Sequence, residues 1–169
     1  MARKRPPQRR GSGEPARSGD WTVEYYQTAD GSVPVLEWLN RLPEFKRVAW
    51  LAFVEFALIR QGKDIAQSGY VKALGQGLFE LRVDHDATEL AQVFGADLLA
   101  FPELGGPGGV GILLRVFGTF YGQRLVLLLS GLDKGVDPKG QQRAIRTARK
   151  LLDEWRAEQA AGRRRRRRR

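Results

Sequence analysis

The sequence holds no cysteine and a single histidine, His85, among its 169 residues. The first absence excludes a disulfide framework and any thiolate metal site. The second excludes any catalytic or metal centre that needs two imidazoles, so neither a metal nor a cofactor is expected. No stretch approaches the ~18 uninterrupted apolar residues of a membrane-spanning helix. The basic N-terminus lacks the apolar core of a secretory leader, and it is proline-rich rather than amphipathic, unlike an organelle leader. A cytoplasmic protein without membrane or small-molecule cofactor is the resulting expectation.

Charge is plentiful but unevenly placed. The formal net charge is +10, of which residues 1–20 carry +4 and the run Arg163–Arg169 carries +7, leaving −1 for residues 21–162. Basicity is thus a property of the tails and says little about what the folded part binds. One domain is expected over 21–158, flanked by a disordered basic tail (1–20) and a disordered poly-Arg tail (159–169). Seven consecutive cations attract any polyanion through counterion release without selecting sequence.

Within the domain, Trp21–Gln27 alternates as a strand. Ser32 is a candidate N-cap for a short helix with Pro34 in its first turn, ending before Leu42-Pro43. A second helix over Pro43–Gln61 carries the stripe Phe45, Val48, Ala52, Phe56 and Ile59, widened by Leu51 and Phe53, and stops at Gly62. Trp50 reads as a packing residue. Three strands follow between Lys72 and Lys134, interrupted by a short helix over Ala87–Gly95 and a glycine-rich loop over Pro102–Gly111. Asp137 and Pro138 are the expected start of a last helix with Ile145, Ala148, Leu152 and Trp155 on its apolar face. The order β-α-α-β-β-β-α predicts an α+β domain, a mainly antiparallel sheet with helices packed on one face.

Alternation also assigns side chains to faces. Phe79, Leu81 and Val83 oppose Leu78, Glu80, Arg82 and Asp84. Ile112, Leu114, Val116 and Phe120 oppose Arg115, Phe117, Thr119 and Tyr121. Arg82 and Arg115 can therefore share a surface, where stiffly held guanidinium groups could clamp a phosphate. Equally, they could simply pair with Glu80 and Asp84. His85 lies in V-D-H-D between Asp84 and Asp86, as a candidate general acid or base or as an ordinary turn residue. The glycine patterns form no P-loop or dinucleotide fingerprint, and Ser130 has no nucleophile elbow around it.

The segments Leu74–Arg82 (L-G-Q-G-L-F-E-L-R), Arg115–Phe117 (R-V-F) and Leu128–Lys134 (L-L-S-G-L-D-K) occur in order and resemble the RelE/HigB-type toxin superfamily, in its phage-derived branch. That branch has L-G-x-G-L-[WF]-E-L-R, R-[VI]-[FL] and L-L-x-G-[FY]-x-K motifs before a C-terminal helix. The resemblance extends more weakly over Trp21–Trp155. Two features depart from it: residues 87–111 are longer than the family's tight connection, and Gly118 replaces a bulky residue. The resemblance implies a RelE-like fold and the toxin of a type II toxin–antitoxin pair, a metal-independent mRNA endoribonuclease acting on the ribosome. It implies catalytic roles for Arg82, Arg115, Tyr121 and Lys134. Lys72, Arg124, Arg163, Arg164 and Arg165 are the RNA-binding candidates, and a helix-turn-helix antitoxin is the implied partner. The alternative is a non-catalytic binding protein, either a gyrase inhibitor of the ParE kind or a nucleic-acid adaptor.

Overall fold

The computed structural model describes residues 19–95 and 111–168. The expected N-terminal tail, apart from Gly19 and Asp20, and nearly all of the glycine-rich loop lie outside these residues. The strands are β1 (Thr22–Tyr25), β2 (Val71–Gly75), β3 (Leu78–Val83), β4 (Leu114–Tyr121) and β5 (Leu125–Asp133), in the sheet order β1-β5-β4-β3-β2. All neighbours are antiparallel except β1, which runs parallel to β5. The helices are α1 (Pro34–Arg41), α2 (Glu44–Phe53), α3 (Ala87–Val93) and α4 (Gln141–Arg167). A π-helical segment (Val54–Leu58) and a last turn (Ile59–Gln61) extend α2. The protein is thus an α+β fold with a mixed five-stranded sheet.

Two expectations about the architecture are corrected. The stretch from Lys72 to Lys134 holds four strands, because Val71–Gly75 pairs with β3 as an edge strand. Its largely exposed residues show no buried face, so the alternation signal is missing. Helices also cover both faces of the sheet. One core joins α1 and α2 to Phe79, Leu81, Val83, Leu114, Val116, Val126 and Leu128. The other joins Ala148, Leu151 and Leu152 of α4 to Leu78, Phe117, Leu127, Leu129 and Leu132. The unbroken run Leu125–Leu129 is the sequence trace of this arrangement, since a strand buried on both faces loses its alternation.

Local chemistry explains the motif glycines. β2 and β3 join through Gln76-Gly77, both at positive φ (53° and 80°), the two-residue turn that matches strand twist. A register shift between Ala73 and Gly75 places a bulge there, and Gly75 takes φ 85°. Gly118 stands at the register break between β4 and β5. A Cβ there would lie 2.5 Å from the Leu127 carbonyl oxygen, so the bulky residue of the resembling family could not fit. Gly131 is the seat of Trp38, whose indole occupies the space a Cβ would need.

The helix ends differ from expectation at three places. Ser32 does not cap α1; the preceding residue is Val33, and no side chain bonds the first turn, although Pro34 stands at the start as expected. Asp137 does not cap α4, which begins after Gly140; the Asp137 carboxylate instead pairs with Arg143, and its carbonyl accepts from the Gly140 N–H. The helix then runs through the arginines to Arg167 rather than ending before a disordered tail. Arginine is a strong helix former, and cations are favoured near a helix C-terminus. In the α2 region Ala49, Trp50, Phe53 and Phe56 are buried, while Leu51 is exposed.

Tyr26 secures α4 to the sheet, its hydroxyl donating to Glu158 at 2.9 Å. Burial, and then the Glu158 carboxylate, push the Tyr26 hydroxyl up to about 12. A raised folded-state value means stability that is fully present below about pH 10 and lost as pH climbs toward 12. Wild type should therefore lose stability over that interval relative to Tyr26→Phe, measured by urea unfolding at successive pH values; parallel profiles would remove Tyr26 as the cause. Gly131→Ala should cost ~1–3 kcal/mol by overpacking against Trp38. In a Trp38→Ala background the same change should be neutral or stabilising, a coupling readable from a double-mutant cycle.

Candidate functional site

The face of β2–β4 that meets the start of α4 carries four of the nine expected site residues. Arg82 and Arg115 are direct cross-strand partners, and Glu80 lies opposite Lys72 on one side and Phe117 on the other. The Lys134 N–H donates to the Leu113 carbonyl at 2.9 Å, extending the β4–β5 ladder by one pair. By alternation Lys134 then falls on the Arg115 face. Arg82, Arg115, Lys134 and Lys72 are thus gathered on one face.

Glu80 organises this face. It is fully buried, and its two oxygens are separately satisfied: Arg82 Nε donates to Oε1 at 2.9 Å, and Gln141 Nε2 donates to Oε2 at 2.7 Å. Arg115 Nε lies 3.8 Å from the same Oε1. Arg115 also donates from Nη1 to Asp84 at 2.5 Å and to the Leu114 carbonyl at 2.9 Å. Two guanidinium groups thus balance two carboxylates. The two arginines differ in access, with 37% of the Arg82 side chain exposed against 8% of Arg115. Arg115 is a tie within the sheet, and Arg82 is the strand arginine that water, or a phosphate, can reach. Lys134 and Lys72 enter no ion pair among the described residues, and Lys72 is exposed.

Other candidates lie elsewhere. Tyr121 is at the opposite end of β4, six residues from Arg115 and so ~20 Å away at strand rise. Its ring meets Trp155 edge-on at 4.8 Å. Arg124 occupies the adjoining β4–β5 turn with positive φ (58°), and Arg163, Arg164 and Arg165 lie exposed on the last turns of α4. His85 continues the Val83 side of β3, facing away from Arg82. Its Nδ1 lies 3.4 Å from Glu89 and its ring is edge-on to Tyr70. The flanking acids are both engaged: Asp84 with Arg115, and Asp86 in a reciprocal capping box with Glu89 that starts α3. Burial, followed by the charges of Asp84 and Glu89, pushes the Tyr70 hydroxyl up.

Two polar features escape sequence reasoning. Gln141, the first residue of α4, gives no motif signal, yet it holds the second oxygen of Glu80. Asp133 pairs with Lys46 of α2 at 2.5 Å in the interior rather than with its neighbour Lys134. No group of three or more acidic or histidine side chains suited to a metal ion occurs among the described residues. No helix among them is long and apolar enough to cross a membrane. Comparison with family models, curated proteins and solved structures gives no match to this chain.

The unequal access of the two arginines is measurable. Arg115→Met should destabilise the fold by ~3 kcal/mol, because it strands Asp84 and removes a counter-charge from a buried carboxylate. Arg82→Met should cost less, because water can reach the vacated position and Arg115 and Gln141 still face Glu80. Equal shifts of the urea midpoint would show that both arginines are structural ties.

Proposed function

We propose that this protein is an RNA-directed toxin of the type II toxin–antitoxin kind, resembling HigB, which cleaves translated mRNA in the cytoplasm. The observation that carries the reading is the cross-strand alignment of Arg82 with Arg115, flanked by Lys72 and Lys134 on one face. Arg82 is the candidate phosphate ligand, since it is accessible and already oriented by Glu80. Lys134 supplies a second cation, and Lys72 at the sheet edge holds the strand backbone. Arg115 acts as a positioning residue that keeps Asp84 and the Glu80 pair in place. Metal-free cleavage then relies on charge stabilisation of the phosphorane more than on proton transfer. An acidic helix-turn-helix antitoxin covering Lys72, Arg82 and Lys134 would silence the surface.

A second reading has its own support. Glu80 and Asp84 neutralise the strand arginines, and the candidate proton-transfer groups Tyr121 and His85 both lie away from Arg82. Those facts favour a binder that blocks translation, or DNA gyrase, without cutting.

Induced expression separates the readings. Wild type should arrest growth and truncate translated mRNA, and Arg82→Ala should lower cleavage by about 100-fold, the usual loss for one charge-stabilising group. Arrest with intact mRNA, or with altered DNA supercoiling, would favour the binder. A folded protein that neither arrests growth nor changes mRNA would exclude both.

A further inference from the structure

The opposite end of β4 carries a feature that the surface around Arg82 does not use. Trp155, Gln159 and Arg163 follow one another at four-residue spacing on α4, and Arg156 and Ala160 form the adjacent row. With Tyr121 they line an open notch of about 210 Å³. The small side chain of Ala160 leaves the space. Its walls are the perpendicular rings of Tyr121 and Trp155, at an interplanar angle of 86°. Arg156 donates from Nη2 to the Gln76 carbonyl at 2.6 Å, which fixes its guanidinium beside the notch.

We infer that this notch is a stacking site for one unpaired base of a single nucleic-acid strand, whose adjacent phosphate is held by Arg156 and Arg163. Two perpendicular rings offer a base one face to stack on and one edge to abut. Aromatic faces flanked by guanidinium groups are the usual means of holding single strands without reading their sequence. The volume is below the ~300–1,000 Å³ of sites that enclose a drug-sized ligand, so one planar group fits and a dinucleotide does not. The Gln159 amide can reach the edge of a stacked base as donor or acceptor. The notch lies ~20 Å along β4 from the Arg82 surface. A strand seated there could continue toward that surface, which would give the otherwise unselective arginine run a defined polarity. The inference deepens the RNA-directed reading and takes its kind of ligand from it, but it requires neither cleavage nor toxicity.

The test is fluorescence anisotropy of the full chain with a labelled hexa-adenylate RNA and with an abasic hexamer of equal charge. Wild type should bind the base-bearing strand about tenfold more tightly. Ala160→Leu fills the notch and keeps every cation, so it should bind both strands alike, with the salt dependence of binding unchanged. Tyr121→Leu, which keeps an apolar neighbour for Trp155 but no ring face, should also lose the discrimination. Arg163→Ala should instead lower the salt slope by ~0.7 while preserving the preference for bases. Equal binding of the two strands by wild type would overturn the inference, as would discrimination that survives in both Ala160→Leu and Tyr121→Leu. Saturable binding of adenosine monophosphate as tight as that of the hexamer would overturn the assignment to a strand. Arg82→Ala should leave the discrimination intact, so loss of cleavage in that variant bears on the Arg82 surface alone.

Discussion

A carboxylate shut away from water governs the arrangement around α4. Glu80 sits in the middle of β3 with no solvent exposure, and an isolated charge there would cost several kcal/mol. It is tolerable because two donors and a nearby cation from three elements meet it: Arg82 donates from its own strand, Arg115 lies 3.8 Å away across the sheet, and Gln141 donates from the start of α4. The last contact fixes where α4 begins. Once that end is set, Ala148, Leu151 and Leu152 fall onto the second apolar face of the sheet. The same network decides what chemistry is left over: Asp84 and the Leu114 carbonyl commit Arg115 to the interior, while Arg82, bonded to Glu80, stays partly exposed.

The hairpin between β2 and β3 makes the complementary contribution. Its positive-φ turn exposes carbonyl oxygens instead of continuing the ladder, and α4 uses them. Arg149 donates to the carbonyls of Leu74 and Gly75, and Arg156 donates to that of Gln76. Thr119 of β4 donates to the carbonyl of Gly77 at 2.8 Å from the other direction. The L-G-Q-G-L segment is therefore a backbone receptor for the C-terminal helix. In physical terms its glycines serve conformation and docking, so the segment's presence argues for the fold more directly than for any activity.

What was legible in the sequence was what local rules govern. Strand faces followed from alternation in β3 and β4, and the two cores divide Phe79, Leu81 and Val83 from Leu78 as that pattern requires. Gly62 ends the α2 region with φ 50°, its α-carbon pressed against Trp21. What was hidden depends on tertiary partners. Nothing near Asp133 in sequence announces Lys46, 87 residues away, yet that buried pair joins α2 to the end of β5. The second covered face was encoded in Leu125–Leu129, where the loss of alternation is itself the signal. Of the candidate site, the meeting of Arg82 with Arg115 could be read from parity. The separation of Tyr121 could not be avoided once β4 was one continuous strand, because parity fixes the face and leaves the distance along it to be counted.

That distance changes how the cations should be understood. A net charge of −1 over residues 21–162 is a sum over surfaces that differ. Around Glu80 the charges cancel within one hydrogen-bonded network, so its electrostatic reach into solvent is short. Along α4, by contrast, Arg146, Lys150 and the terminal arginines are exposed, and Arg149 and Arg156 keep donors free beyond those given to the hairpin. The helix that the sheet holds at its start through Gln141, and at mid-length through Tyr26 and Glu158, thus presents a cationic edge on a rigid support. The stronger positive field lies along that edge rather than at Arg82. Long-range attraction is therefore separated from the short-range contacts at which any selection must occur.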